Sequence, residues 1–141
     1  MRSAYDVVKA HYAANDRRDI AGMLADITPT TEWTEMAGFP CAGTYYGPDA
    51  IVKNVFMALG TQFDDYTFKL ERLLDAGDHA VAIGDYTARH KQTGKALAAR
   101  VVHVWHVKDG KVIRFEQFTD TLLVARTMAS SISKLDGTSS V

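Results

Sequence analysis

One charged residue interrupts an apolar run in the second half of the chain, Ala96-Leu97-Ala98-Ala99-Arg100-Val101-Val102-His103-Val104-Trp105. A turn, Lys91-Gln92-Thr93-Gly94, precedes this run, and a second β-like run precedes the turn. We therefore predict a β-hairpin in which Asp85 lies directly opposite Arg100. The same register places three further cross-strand pairs on that face: Ile83 with Val102, Val81 with Val104, and His79 with His106.

A charged pair among aliphatic neighbours predicts a cavity on this face, because an unpaired buried guanidinium is very costly. Two interpretations stay open. In the first, Arg100 and Asp85 form a satisfied ion pair that fixes the strand register. In the second, Arg100 holds a carboxylate, enolate or phenolate oxygen of a substrate, and Asp85 orients the guanidinium. His106, near the end of the same ladder, is a candidate proton-transfer residue at the cavity rim.

Turns marked by glycine predict three successive hairpins in the second half of the chain. Carried across the last of these turns, the register adds Phe115 and Gln117 to the cavity face. The opposite face is expected to be wetter and to serve as a solvent surface or as the contact of a homodimer. That opposite face carries His103, Trp105, Arg114 and Glu116.

The N-terminal part of the chain contains helix signals. Ser3 resembles the start of a capping box, Asp19 is a second candidate cap, and Pro48 fits the first turn of a third helix. Helices followed by long antiparallel strands predict an α+β domain with its helices packed on one sheet face. We expect a single domain over residues 1–141, with a core at about 3–128 and a flexible tail at 130–141.

The composition excludes several classes of protein. Of the 141 residues, 47% are hydrophobic and 23% charged, with a formal net charge of −1. These values are typical of a soluble globular domain and give no reason to expect nucleic acid or a membrane as a partner. No run reaches the ~20 apolar residues of a membrane span. Cys41 is the only cysteine, so no internal disulfide can form and a cytoplasmic location is expected.

Neither a metal nor a cofactor is expected from the motifs. His103 and His106 point to opposite faces of a strand, so they cannot share one ion. The pair formed by His79 and His106 is better placed, but no third ligand is apparent beside it. Phosphate loops, nucleotide fingerprints and paired Cys-x-x-Cys motifs do not occur in the sequence.

Several segments resemble the SnoaL-like polyketide cyclase family, within the ketosteroid isomerase and nuclear-transport-factor-2-like superfamily. They are Gly43-Thr44-Tyr45-Tyr46-Gly47-Pro48-Asp49-Ala50, Thr93-Gly94-Lys95, Val107-Lys108-Asp109-Gly110-Lys111-Val112-Ile113-Arg114-Phe115 and the closing Asp120. The resemblance covers roughly residues 3–128. It implies a cone-shaped, curved antiparallel sheet with N-terminal helices over its concave face, a hydrophobic pocket between them, and dimers through the outer sheet face.

The residues that carry chemistry in that family are not all present. Gln117 stands where related cyclases and epoxide hydrolases place an acid/base aspartate, and Arg100 stands at the oxyanion-hole aspartate of ketosteroid isomerases. The general base of those isomerases falls near Trp33 to Glu35, where only Glu35 can serve. His11 lies near the position of their helix-one tyrosine.

The preferred hypothesis is a small cofactor-independent enzyme of isomerase, cyclase or dehydratase type, resembling ketosteroid isomerases or polyketide cyclases. Its substrate is expected to be a hydrophobic, cyclic, carbonyl-containing molecule. Glu35 or His106 would transfer the proton, while Arg100 with Asp85 would stabilise charge. The alternatives are a non-catalytic small-molecule binding domain and a dimeric association domain. The residues expected to contact the substrate are Tyr12, Trp33, Met36, Tyr46, Phe56, Phe115 and Gln117.

Overall fold

The computed structural model describes residues 2–130, so the predicted tail lies outside the described residues except for its first position. Within residues 2–130, no helix is both long and apolar enough to cross a membrane. The helices are α1 (Ala4–Asp16), α2 (Ile20–Met23), α3 (Gly47–Ile51), a π-helical segment (Val52–Phe56), α4 (Met57–Gln62) and α5 (Thr121–Met128). The strands are β1 (Ile27–Glu35), β2 (Gly43–Tyr46), β3 (Phe63–Ala76), β4 (His79–His90), β5 (Ala96–Lys108) and β6 (Lys111–Thr119).

The predicted α+β class is confirmed. One six-stranded sheet has the order β2-β1-β6-β5-β4-β3, and its pairs are antiparallel except for the parallel pair of β1 with β6. Helix α1 packs against β3, β4 and β5, which places the core between this helix and one sheet face. The side chains of Ser3, Asp19 and Asp120 cap the first turns of α1, α2 and α5 by accepting backbone hydrogen bonds.

The hairpin register is also as predicted, with Asp85 paired with Arg100 and His79 with His106. The next hairpin differs by one residue, because a register shift lies between His106 and Val107. Trp105, rather than Val104, is therefore the partner of Phe115. A β-bulge of this kind gives one strand an extra residue and reverses the side-chain alternation beyond it.

The predicted assignment of the two sheet faces is wrong. Ala82, His103 and Trp105 point into the core and are at most 6% exposed, whereas Val102 and Val104 are half-buried on the outer face. Both faces are apolar, so a count of aliphatic residues does not distinguish them. The inner face combines small with aromatic side chains, which allows α1 to approach the sheet closely while the aromatic rings fill the remaining space.

Two irregularities shape the inner face beside the core. Between Asp64 and Thr67 the pairing of β3 with β4 shifts, and Asp65 within this bulge adopts a left-handed φ of 55°. Gly84 on β4 has no space for a side chain, because a Cβ there would lie 2.2 Å from the carbonyl oxygen of Lys69 and 2.8 Å from the ring of Phe68. The bulge and the glycine position Tyr66 and Phe68 at the edge of the core.

Candidate functional site

A cavity of about 470 Å³ opens between the helices and the inner face of the sheet. Its size falls within the range of small-molecule sites in proteins. The π-helical segment and α4 form one side of it, and α1, α2 and the strands β1, β3, β4, β5 and β6 form the rest. The lining includes Glu35 and His103 among apolar and aromatic side chains, chiefly Tyr12, Trp33, Phe56, Tyr66, Phe68, Tyr86 and Phe115.

Glu35, the last residue of β1, is a buried carboxylic acid in the wall of this cavity. Its side chain is only 4% exposed, and Oε2 accepts a hydrogen bond of 2.7 Å from the indole nitrogen of Trp33. Desolvation by burial raises the pKa of Glu35 from 4.5 to about 7, against the opposing effects of the hydrogen bonds from Trp33 and Cys41. A carboxyl group with this pKa can both accept and release a proton near neutral pH.

His103 joins two buried tyrosines on the sheet. Its Nδ1 lies 2.6 Å from the hydroxyl of Tyr12, and its Nε2 lies 2.7 Å from the hydroxyl of Tyr86. The indole of Trp105 donates to the Tyr12 hydroxyl at 2.9 Å, and the amide of Gln117 donates to the Tyr86 hydroxyl at 3.1 Å. Five side chains from α1, β4, β5 and β6 therefore form one continuous hydrogen-bond network.

The chemistry of these groups orients the protons in the network. Burial lowers the pKa of His103 to about 3, so the ring is neutral and only one nitrogen carries a proton. We assign that proton to Nε2, with Tyr12 donating to Nδ1. Tyr86 then accepts from both His103 and Gln117, and its own proton remains to be donated. The opposite tautomer would leave the spare proton on Tyr12, whose hydroxyl has no further acceptor among residues 2–130.

Tyr66 lies beside this spare proton, with its ring centroid 5.1 Å from that of Tyr86. Its hydroxyl is the one buried side-chain oxygen or nitrogen in the described part of the chain without a hydrogen bond of ordinary geometry. It lies close enough to the Tyr86 hydroxyl for the two phenols to influence each other's pKa, in opposite directions. An unsatisfied buried hydroxyl is unfavourable, and the bulge with its left-handed Asp65 is also unfavourable. A polar atom of a molecule in the cavity is able to satisfy the Tyr66 hydroxyl and accept the spare proton of Tyr86.

Replacing Tyr66 with phenylalanine is expected to leave the free protein equally stable or more stable, because the variant removes an unsatisfied hydroxyl that costs about 1–3 kcal/mol. Affinity for a ligand that carries an oxygen is expected to fall in the same variant. Urea denaturation and calorimetric titration measure the two effects. Tyr5→Phe, on α1 and outside the cavity lining, is the control. A clear loss of stability without a ligand would contradict this interpretation of Tyr66.

The structure brings some of the predicted contact residues to the cavity. Tyr12, Trp33, Phe56 and Phe115 line it, together with Glu35. Gln117 is 1% exposed and reaches the cavity through Tyr86. Met36 contributes through its backbone N–H, which donates to the Gln117 side chain at 3.3 Å and fixes the orientation of that amide.

Tyr46 is 59% exposed and does not line the cavity, which corrects its predicted role.

The predicted cavity role of Arg100, Asp85 and His106 is wrong, because all three lie on the outer face of the sheet. The side chain of Arg100 is 58% exposed, and its guanidinium is 3.2 Å from the Asp85 carboxylate and also paired with Glu71. On this face the charges keep their hydration and avoid the desolvation penalty of a buried pair. Of the two interpretations, the structure agrees with an ion pair across the hairpin.

Replacing Arg100 with methionine is therefore expected to leave the affinity of a cavity ligand unchanged, since the sheet separates the guanidinium from the cavity. Thermal-shift titration of the wild-type and variant proteins with the same ligand measures this. Asp85→Asn should behave in the same way. An affinity loss as large as that of Tyr66→Phe would show that the guanidinium reaches the ligand.

The residues predicted to form a dimer surface also divide between the faces. His103 and Trp105 are buried within the chain, so they are not available to a second copy. Arg114 and Glu116 do lie on the outer face, where Arg114 is 3.3 Å from Glu32. Homodimerisation through the outer face stays a prediction. Of the four residues predicted for that contact, Arg114 and Glu116 are the two that lie on this face.

The sequence suggests no functional role for Tyr86, and the predicted register places His103 on the outer face, although its side chain is buried. Their partners are distant in sequence, since Tyr12 and His103 are 91 positions apart. One pattern in the sequence does indicate the inner face of β4. The small residues Ala80, Ala82 and Gly84 alternate with larger side chains that point to the other face. Small side chains on one face of a long strand indicate that another element packs closely there.

Residues 8–115 match the SnoaL-like domain family. Among solved structures, the chain is similar to an NTF2-like protein from Burkholderia thailandensis E264, with 58% identity over 92% of this chain and 99% of that chain, at a TM-score of 0.90. It is similar to an NTF2-like protein of unknown function from Burkholderia pseudomallei K96243, with 25% identity over 92% of this chain and 100% of that chain, at a TM-score of 0.82.

A third solved structure contains a small molecule. It is TerC, co-crystallized with polyporic acid, which is 26% identical over 86% of this chain and 95% of that chain, at a TM-score of 0.77. No curated protein gives a significant match to the chain. The similarity to solved structures thus extends over nearly the whole of the described fold.

Proposed function

Because this chain belongs to the SnoaL-like domain family, we propose that it is a cofactor-independent enzyme that transfers a proton on a hydrophobic, carbonyl-containing small molecule. The reaction is of isomerase, cyclase or dehydratase type. One observation carries the proposal: the buried carboxyl of Glu35 lies in the cavity wall with its pKa raised to about 7. Perturbed acids in clefts are a common feature of catalytic sites.

Glu35 acts as the base that removes a proton from carbon and later returns it. Its ionised form is held by the hydrogen bond from Trp33, while the apolar surroundings keep its basicity high. When a proton leaves the carbon next to a carbonyl, negative charge develops on the carbonyl oxygen. The spare proton of Tyr86 and the hydroxyl of Tyr66 are available to that oxygen, and burial keeps both phenols protonated by raising their pKa well above the ordinary value.

The walls indicate the class of substrate. Trp33 and Phe115 stack at a centroid distance of 3.7 Å, and Phe56 and Phe68 complete an aromatic lining. Such walls favour a planar or cyclic apolar molecule with few polar groups. The co-crystallization of TerC with polyporic acid makes that compound a suitable first probe for this chain. Of the predicted catalytic groups Glu35 is retained, while Arg100, Asp85 and His106 are replaced by the tyrosines.

An open cavity of about 470 Å³ argues against a purely structural association domain, whose pocket has no reason to remain unfilled. An enzyme and a non-catalytic binding domain differ in what happens to a bound carbonyl compound. We therefore suggest a thermal-shift screen of polyporic acid and cyclic ketones, followed by incubation of each stabilising ketone in D₂O. Proton NMR then measures whether hydrogen beside the carbonyl exchanges faster with the protein than with buffer.

The wild-type protein is expected to accelerate exchange, and Glu35→Gln is expected to remove the acceleration. Glu32→Gln is the matched control, since Glu32 lies on the same strand and pairs with Arg114 on the outer face. Ketones that bind without any exchange would support the binding domain instead. Exchange that survives in Glu35→Gln would refute Glu35 as the base.

A further inference from the structure

A cluster of metal-binding side chains lies on the outer face, away from the cavity. It consists of Asp78, in the turn between β3 and β4, with the cross-strand pair of His79 and His106. One ligand atom from each residue can be chosen so that all three lie within 4.8 Å of one another. We propose that these residues bind a divalent transition-metal ion such as Zn²⁺, at a site independent of the proposed cavity chemistry.

The backbone holds the two imidazoles in position. His79 and His106 are direct partners on β4 and β5, and their rings stack with centroids 4.3 Å apart and planes only 6° from parallel. The turn is fixed as well, because the carbonyl oxygen of Asp78 accepts a 2.9 Å hydrogen bond from the backbone N–H of Val107. A cross-strand pair on a rigid ladder pays little conformational entropy when it takes up an ion.

The distances already approach those of a coordination shell. Oδ1 of Asp78 is 2.7 Å from Nδ1 of His79, and Oδ2 of Asp78 is 3.6 Å from Nε2 of His106. Bonds of about 2.0–2.1 Å at tetrahedral angles place neighbouring ligand atoms about 3.3 Å apart. The 2.7 Å contact is a hydrogen bond in the chain without an ion. The stacked rings direct their in-plane nitrogen lone pairs within nearly parallel planes, so both imidazoles must rotate about χ2 before one ion binds both nitrogens.

The donor set selects the kind of ion. Two imidazole nitrogens and one carboxylate oxygen suit Zn²⁺, Co²⁺, Ni²⁺ or Cu²⁺, whereas Mg²⁺ and Ca²⁺ prefer oxygen alone. Three protein ligands leave a further position for water. The side chains are accessible to solvent, with exposures of 70% for Asp78, 41% for His79 and 32% for His106.

The neighbouring charge permits a cation. Arg114 is the partner of His106 on β6, and its guanidinium is 3.3 Å from the Glu32 carboxylate, which offsets its charge. The sequence does not suggest this site, because no third ligand is apparent there beside the two histidines. The third ligand is the residue immediately before His79, which the turn directs back over the hairpin.

The test uses the full chain without a polyhistidine tag, titrated with ZnCl₂ in a calorimeter and compared with MgCl₂. We expect one Zn²⁺ per chain and no Mg²⁺ binding. His79→Gln and His106→Gln should each weaken Zn²⁺ binding by at least the roughly 10–100-fold that loss of an outer-shell partner costs. Asp78→Asn should weaken it as well, while Asp109→Asn, in the turn between β5 and β6, is the matched control and should not.

Nitrogen-15 NMR of the imidazoles identifies the coordinating atoms directly. Zn²⁺ should shift Nδ1 of His79 and Nε2 of His106 and leave the ring of His103 unaffected. Binding that persists in the variant lacking both histidines would overturn the site, as would its loss in Glu35→Gln, because each result places the ion elsewhere. Absence of Zn²⁺ binding to the wild-type protein would overturn it too. None of these outcomes bears on the exchange assay of the cavity.

Discussion

Glu35→Gln is expected to slow proton exchange on a bound ketone by about 10²–10⁴-fold, the usual contribution of a positioned acid or base. The same substitution is expected to raise the free energy of unfolding above pH 7 by about 3 kcal/mol, which is the cost implied by moving the pKa of Glu35 from 4.5 to about 7. A single change should therefore remove activity and increase stability. A carboxylate kept only for packing would not produce this combination.

The pH dependence follows from the direction of the pKa change. Glu35 binds its proton more tightly in the folded than in the unfolded chain, so its favourable contribution is complete below pH 4.5. That contribution is lost as pH rises to about 7, where the folded protein also ionises. The glutamine side chain does not ionise, so the stability difference between variant and wild type should grow over this interval and then stay constant.

Urea denaturation of both proteins at a series of pH values measures this difference. Glu32→Gln again serves as the control and should give a difference that changes little over the interval. If Glu35→Gln is less stable than the wild-type protein at pH 8, the buried carboxylate is better solvated than its surroundings indicate. The proposed acid–base role would then lose its physical basis.

Replacing His103 with glutamine should reduce the sensitivity of the protein to acid. Burial lowers the pKa of His103 from 6.5 to about 3, so its contribution is present above pH 6.5 and is lost as pH falls towards 3. The lowering of the His103 pKa from 6.5 to about 3 corresponds to about 5 kcal/mol of folding free energy, which is lost when the pH falls through this range. His11 contributes in the same direction, because burial lowers its pKa to about 4 while its Nδ1–H donates to the Met23 carbonyl oxygen.

At pH 7 the glutamine variant should be less stable than the wild type, because the substitution disturbs the hydrogen bonds to Tyr12 and Tyr86 and an unsatisfied hydroxyl costs about 1–3 kcal/mol. Below pH 6 its stability should fall less steeply, so the two curves should converge in acid. Urea denaturation between pH 3 and 8 provides both curves. Parallel curves would show that His103 does not have to gain a proton inside the folded protein.

The sequence predicts the register of the central hairpin but not the direction in which its side chains point. Turn length fixes which residues are partners, and Asp85 does pair with Arg100. The direction depends on which face the helices cover, and both faces of β4 and β5 are apolar. The ordinary cost of burying a charged pair favours the outward orientation that the structure has.

Phe115 and Gln117 illustrate how two errors can cancel. The predicted faces are reversed, and the bulge after His106 shifts β6 by one residue, so both side chains still point inward. The residues around His106 and Val107 show no pattern from which that bulge could be predicted. The resemblance to the SnoaL-like family is confirmed by the family match, and it pointed to Glu35 as the base. The network of His103 depends on contacts between distant strands, which periodicity does not reveal.

The parallel pairing of β1 with β6 has a consequence for biosynthesis. Glu35 is paired with Gln117, so the strand that carries the proposed base finds its neighbour only after most of the chain has been translated. Pairing across such a sequence separation closes a long loop and is slow. A nascent chain halted on the ribosome before Thr119 would leave β1 with an open edge. Premature termination should accordingly yield a product prone to self-association through that edge, instead of a folded domain that lacks only its last elements.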